Sequence, residues 1–442
     1  MRSGIIFLGL LSCGLLTLQI NIFPHMMWRD IDQDYLLGWA AVHGVNPYLR
    51  IPKLAEEAGF QFSVYLLPHP SPHPPTVILW MIPLTFVDRI SAAYVWFGLS
   101  VSCLLASAVI LVKSFKVGTQ WLPNAAILSA VLVLIAPTKE DLFFGQYGFF
   151  QLVLLLFAWL KLREDKGILS GMYLGIAITL KTNLWPILVY FVLAKHRRVL
   201  TGVAVTYLPV LGTVLGLFGL GIFTVYGAAV KETVNYWQYF PMNMSICNAL
   251  SSLAFGRTVS LHGLFHVPSV DPVSPGILGT LFSVMDMLLW AAFFIAVMYK
   301  ALRKDKQVGV AFWRVAGACT ILSPIGWLHY TVLLIPFWVS MALEWSKDRT
   351  SRLKLQHGAS LVLLWPMTHP MFGSLLSVTA EMGWVNWLPS GAFRVPMILP
   401  LLMKVPVFAV AWIVLRYEPS ALAELGEKKS ASQEKGGILH AA

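Results

Sequence analysis

Residues 89–116 read RISAAYVWFGLSVSCLLASAVILVKSFK, and this stretch decides what kind of protein the chain is. From Ile90 to Val112 it carries no Asp, Glu, Lys or Arg, and it closes on the basic cluster Lys113–Lys116. A helix rises about 1.5 Å per residue, so such a run crosses the ~30 Å hydrocarbon core of a bilayer. Lysines at one end mark that end as cytoplasmic. The pattern recurs along the chain. Of the 442 residues, 57% are hydrophobic and 12% charged, and the mean hydropathy is +0.70. A soluble protein carries about 25% charged residues. The composition therefore excludes an ordinary soluble enzyme, a disordered chain and a nucleic-acid-binding domain. The reading is an all-α polytopic membrane protein.

The net charge of +11 fits the same reading, because the basic residues sit in short clusters between apolar runs. Lys113–Lys116, Lys161–Lys166, Lys195–Arg198, Lys300–Lys306 and Lys347–Lys354 read as cytoplasmic. Stretches with carboxylates, prolines and aromatics lie between them and read as extracytoplasmic: Pro24–Pro75, Pro137–Gln146, Tyr226–Pro275, Ser323–His329 and Gly373–Phe393. The alternation puts both termini in the cytoplasm. Spans are expected over 4–23, 90–112, 121–137, 144–161, 167–181, 183–195, 199–223, 276–300, 309–322, 326–345, 355–372 and 394–416, about twelve crossings. The first is read as an uncleaved helix. Residues 74–87 are too short to span and read as a helix dipping into the outer leaflet; 167–181 with 183–195 allows a broken hairpin.

One transmembrane unit, 1–417, thus carries two long extracytoplasmic loops, 24–75 and 226–275, and a disordered cytoplasmic tail, 418–442. Within the first loop, Asp34–Val45 offers Leu36, Leu37, Ala40, Ala41 and Val42 to one apolar side and is expected to lie in the membrane interface. Cys13, Cys103, Cys247 and Cys319 form no CxxC pair, so neither a disulfide framework nor a zinc site is expected.

Candidate chemistry gathers at the extracytoplasmic boundary. Asp30, Asp32 and Asp34 follow the first apolar run; a partly desolvated carboxylate there is a general base, and a solvated one caps a helix. Asp30-Ile31-Asp32 also has the form of a DxD metal motif. His69 and His73 are four apart, but Pro70, Pro72 and Pro74 forbid the helix that a metal pair needs. Lys181 ends the apolar run Leu174–Leu180, and a cation there suits a lipid-linked phosphate or snorkels to the surface. His329 lies where Ser323-Pro324-Ile325-Gly326-Trp327 turns into a helix, placed to hydrogen-bond a phosphate or hydroxyl. Asn243-Met244-Ser245 is formally a sequon, and Asp286 within an apolar run requires a partner.

In order, these segments resemble glycosyltransferase family 87, the polyprenyl-phosphate-mannose-dependent mannosyltransferases of GT-C fold. The resemblance is carried by Asp30 with Tyr35, Gly44, Pro47 and Tyr48; by Pro74-Pro75; by Phe144-Gly145-Gln146; by Gly171-Met172-Tyr173-Leu174-Gly175 leading to Lys181; by Asn243 and Ser245 with Leu250; and by Ser323-Pro324-Ile325 with Trp327 and His329. It departs where the family has Asn at Gly148, an aromatic at His73 and often Pro at Thr182.

The resemblance implies an inverting transfer of a sugar, mannose first, from a polyprenyl monophosphate to an acceptor hydroxyl of a glycolipid or glycan. It implies Asp30 and His329 as catalytic residues, Asp30 the general base, with Lys181, Asn243, Ser245, Gln146, Tyr35, Trp327 and His73 binding donor or acceptor. The lipid-linked sugar is a substrate; no cofactor and no metal are expected, nor any nucleic acid. The expected location is a plasma membrane, bacterial, with the site outside the cytoplasm. A polyprenyl-phosphate-arabinose-dependent enzyme of the same fold is the nearest alternative. A lipid or sugar transporter is the other, and the absence of an internal repeat weighs against it.

Overall fold

Apolar runs become helices here, and the polar residues between them become the breaks that shape the interior. The computed structural model describes residues 30–60, 69–238, 243–251, 276–305, 307–347 and 398–416, with isolated positions in the first apolar run. Among the described residues the protein is helical with no strand. Helices α1 (Asp30–Val42) and α2 (Ile51–Glu57) lead to a proline-rich turn and α3 (Pro75–Met81), which tightens into a 3-10 turn at 82–86. Then come α4 (Arg89–Phe115), α5 (Trp121–Leu134), α6 (Ala136–Phe144), α7 (Gly148–Arg163), α8 (Gly167–Leu180) and α9 (Trp185–Leu193). The remainder are α10 (Arg197–Phe218), α11 (Gly221–Trp237), α12 (Gly276–Arg303), α13 (Val308–Leu322), α14 (Ile335–Lys347) and α15 (Ile398–Arg416).

Helix α4 contains the run 90–112 and explains its own ends. The Asp88 carboxylate accepts the Ile90 and Ser91 backbone N–H groups at 3.0 Å each, and Lys116 stops the helix in a left-handed turn, φ 50°. By length and apolarity, Arg89–Phe115, Arg197–Phe218 and Gly279–Arg303 can each cross a membrane, and Trp121–Leu134 with Pro137–Phe144 makes a fourth if a pair bent by 77° counts as one span. The twelve full crossings expected from the sequence are thus not what the described helices give. Several apolar helices stop short because polar or cyclic residues interrupt them. Gly145 (φ 66°) ends α6 and delays α7 to residue 148, extended Lys181 ends α8, and a 3-10 segment at 328–334 replaces the first turns of the expected span 326–345. Most of span 4–23, all of span 355–372, residues 252–275 and the tail 418–442 lie outside the described residues.

The long loops hold regular structure. Helix α11 occupies the start of the second. In the first, α1 begins four residues earlier than the amphipathic stretch predicted from Asp34, and every residue from Ile31 to Gly38 is buried. Helix α1 packs on α3, the 82–86 turn and α4, so its apolar side is covered by protein.

Close packing replaces hydrophobic collapse as the source of order between helices in lipid. The tightest crossing is α8 on α10, where a Cβ on Gly171 would stand 1.9 Å from the Val199 carbonyl oxygen. A main core joins Trp159, Phe191, Phe312, Trp313 and Phe337 across α7, α9, α13 and α14. A second cluster, including Ile31, Leu37, Val77, Met81 and Tyr147, packs around α1. Asp286 has its partners: its two carboxylate oxygens accept the Leu250 and Ser251 backbone N–H groups at 2.7 and 2.8 Å. The four cysteines are free thiols.

Candidate active site

The breaks in the helices converge. Asp30 is the first residue of α1, Gln146 follows the left-handed Gly145 after α6, Lys181 is the extended residue after α8, and His329 sits in the 3-10 segment before α14. At a break the side chain escapes the packed helix surface, so residues far apart in sequence can meet at one polar point.

Gln146 joins them. Its Nε2 donates to Asp30 Oδ2, and its Oε1 accepts from Lys181 Nζ at 3.0 Å. The ammonium also lies 4.2 Å from the centre of the Tyr330 ring, a cation–π contact. Asp30 keeps part of its surface open. Its carboxyl is pushed up to about 6, first by loss of water; the nearby His73 and Lys181 pull it down, and Asp34 and Asp32 push it up. That suits a group that is mostly ionised at neutral pH yet basic enough to take a proton.

Behind Asp30 the other two carboxylates are spoken for. Asp34, fully buried, is bound by His73 Nδ1 at 2.5 Å and by the Tyr147 hydroxyl at 2.8 Å. Tyr48 donates its hydroxyl to the His73 carbonyl at 2.8 Å, which fixes the proline-rich turn from the other side. Asp32 pairs with Arg89 at 2.9 Å. The DxD reading therefore resolves into one open carboxylate and one ion-paired one. Among the described residues no three His, Cys, Asp or Glu side chains form a metal-holding group.

His329 is 3% exposed, and neither ring nitrogen has a hydrogen-bond partner among the described residues. An unsatisfied buried imidazole costs free energy unless something else supplies its partner. Lys181 and His73 lie near enough for their charges to act on it, which ties it to the Asp30 cluster. Glu140 of α6 approaches its Nδ1 to 3.8 Å.

The remaining residues from the sequence reading hold the frame. The Asn243 amide is fully engaged with backbone: Nδ2 donates to the Trp237 and Pro324 carbonyls at 3.3 Å, and Oδ1 accepts the Ser245 and Gly326 N–H groups at 2.9 Å. The Ser245 hydroxyl accepts the Cys247 N–H at 3.1 Å. These bonds pin segment 243–248 to the 324–326 turn that carries Trp327 and His329. Asn243 is buried, so its sequon is closed in this fold. Tyr35 donates to the Val87 carbonyl at 3.0 Å, and Trp327 packs edge-on to Trp237, ring centres 5.0 Å apart. His69 is also structural. Trp237 Nε1–H donates to its Nε2 at 2.8 Å, so Nδ1 carries the proton and reaches the Pro70 carbonyl, also at 2.8 Å; burial pushes its pKa down to about 4.

Sequence reasoning missed Asp34 as the anchor of His73, and missed Glu140 and Tyr147 altogether. A visible signal existed for Glu140: two adjacent carboxylates, Glu140-Asp141, in an otherwise apolar neighbourhood. Asp141 is spent on the α7 N-terminus, accepting the Gly148 and Phe149 N–H groups at 2.8 and 3.4 Å.

Apolar helices that enclose a joined carboxylate, amide and cation beside a buried imidazole define a membrane protein with a polar cluster in its interior. Residues 72–324, more than half of the chain, match the model of glycosyltransferase family 87. The chain belongs to that family and is a glycosyltransferase. No curated protein and no solved structure matches it.

Proposed function

We propose that the protein moves a sugar, mannose first, from a polyprenyl monophosphate to an acceptor hydroxyl on a glycolipid or glycan, with inversion, at the extracytoplasmic face of a bacterial plasma membrane. The observation that carries the reading is the relay Asp30–Gln146–Lys181 beside the unpartnered His329. Asp30 takes the acceptor hydroxyl proton as the oxygen attacks the anomeric carbon. The bond from that carbon to the phosphate oxygen breaks, and polyprenyl phosphate leaves. Lys181 meets the phosphate, where a cation offsets the charge that accumulates on the leaving group, and His329 contacts donor or acceptor beside it. His73 and Trp327 line the approach, while Asn243, Ser245 and Tyr35 act through the scaffold. One phosphate leaves and no diphosphate has to be neutralised, so the proposed reaction runs without a metal.

The test is transfer of labelled sugar by purified protein in lipid nanodiscs, wild type beside Asp30→Asn. From polyprenyl-phosphate-mannose we expect wild-type transfer, reduced 10²–10⁴-fold in the variant, the range a positioned base supplies. Undiminished transfer in Asp30→Asn overturns the base. Transfer from the arabinose donor in place of mannose corrects the sugar and keeps the chemistry.

A further inference from the structure

Glu140 is a buried carboxyl, 8% exposed, to which the proposed mechanism gives no task. It belongs to α6, the short helix set at 77° to α5, and this bend is what turns it toward the 328–334 segment. There its Oε2 stands 3.8 Å from Nδ1 of His329. A carboxyl oxygen thus lies just beyond hydrogen-bond distance of one ring nitrogen, while the other ring nitrogen has no hydrogen-bond partner among the described residues.

The two ring nitrogens of a neutral imidazole differ: one donates and the other accepts, and the partner of one decides the state of the other. The groups around His329 do not compete for Nδ1. Lys181 arrives from the end of α8 and His73 from the turn before α3, both acting through space, and Tyr330 and Phe144 touch the ring only by its edges and faces. Asp141, next to Glu140, is held by the backbone of α7.

We propose that Glu140 is the positioning residue of His329: its carboxyl oxygen receives Nδ1–H and so leaves Nε2 as the nitrogen that meets the ligand. The gap of 3.8 Å closes when a ligand seats the ring. This rests on the reading that His329 contacts donor or acceptor, but the tautomer can be read without any turnover.

The experiment is a ¹⁵N-histidine spectrum of the full chain in nanodiscs, with and without a short-chain polyprenyl monophosphate, the His329 signals being identified by their loss in His329→Gln. We expect a neutral ring protonated on Nδ1 in the wild type, a state lost in Glu140→Met and kept in Glu140→Gln, whose amide oxygen still accepts. Where Glu140→Met fails to fold, Glu140→Asp withdraws the same group by one methylene and should loosen the same tautomer. An unchanged tautomer in Glu140→Met or Glu140→Asp overturns the proposal, whatever the enzyme transfers.

Turnover supplies the second arm. Glu140→Met should lower kcat about 10- to 100-fold with donor KM within about threefold, Glu140→Gln should recover most of it, and Glu140→Met should cost nothing further in a His329→Gln background. Multiplicative losses mean a structural role only and overturn it. His329→Gln at the wild-type rate removes the role of the histidine itself, a failure of the functional reading that leaves the tautomer result standing.

Discussion

Lys181 Nζ reaches Gln146 Oε1 at 3.0 Å, and the nitrogen of that amide donates to Asp30, so cation and carboxylate are held one amide apart. Direct contact would form a tight ion pair and depress the basicity of Asp30. The spacer lets Lys181 act on Asp30 only through space, and loss of water keeps the carboxyl at about 6. Activity should therefore fall as the pH drops through about 6, because the base is lost to protonation. Lys181→Met removes a charge that favours the carboxylate, so Asp30 should become more basic and the acid limb should move up by about one pH unit. The check is the pH profile of kcat/KM for both proteins. A limb that stays put in Lys181→Met means that the titrating group is not Asp30.

His69 gives the fold its own pH dependence. Buried and neutral, it titrates at about 4 rather than 6.5, so between these values the unfolded chain binds a proton that the folded chain refuses. Stability is thus full above pH 6.5 and lost as the pH falls toward 4, by up to about 3 kcal/mol. The thermal midpoint in nanodiscs, followed from pH 7.5 to 4.5, should decline in the wild type. In His69→Gln the protein starts less stable, and the part of the decline between pH 6.5 and 4.5 should disappear.

Gly148 opens α7 against the Asp141 carboxylate, which leaves no room for a side chain at that position. Asp141 accepts the Gly148 N–H at 2.8 Å, and its Oδ1 would lie 2.2 Å from a Cβ at that position. Gly148→Ala should destabilise the protein by about 1–3 kcal/mol through overpacking. Asp141→Ala added to it should cost less than the two single losses summed, since the clash goes with the carboxylate. Urea or thermal midpoints of the four proteins in the cycle decide it; strict additivity means that the two residues do not compete for space.

That pair also marks the limit of what the chain reveals before folding. The spanning run 90–112, the end of an apolar run at Lys181 and the turn at Pro324–Gly326 are local signals of periodicity, charge and proline, and they are legible; the break at Gly145, inside the expected span 144–161, is not. Asp30 is visible as a carboxylate just outside a long apolar run, but the helix it opens is not, since the amphipathic pattern starts only at Asp34. Nor is the burial of α1. A segment with Asp30, Asp32 and Asp34 reads as solvated until Arg89, His73, Tyr147 and Gln146 arrive from elsewhere in the chain to take each carboxylate. Asn243 is opaque in another way: spacing gives no sign that its amide meets a loop 81 residues away. Polar partners chosen by tertiary approach leave no trace in spacing.

Asp305 teaches the same lesson and yields the last prediction. It lies in the stretch Lys300–Lys306, which reads as a positive cytoplasmic loop, and nothing in that reading gives the carboxylate a purpose. In the fold it grips Arg314 of α13 with both oxygens, Nε at 2.6 Å and Nη2 at 2.8 Å, and the guanidinium is fully buried. A bidentate pair of this kind is geometrically specific. Its value lies less in net attraction than in the cost of leaving either partner alone, about 3–5 kcal/mol. Asp305→Asn should therefore lower the thermal midpoint sharply, and Arg314→Met should do so too. The double variant Asp305→Asn, Arg314→Met should regain much of the loss, because no buried charge is then left unpaired. Double-variant stability no better than that of either single variant would mean that the pair is needed for the turn between α12 and α13 itself, and not merely for its own neutrality.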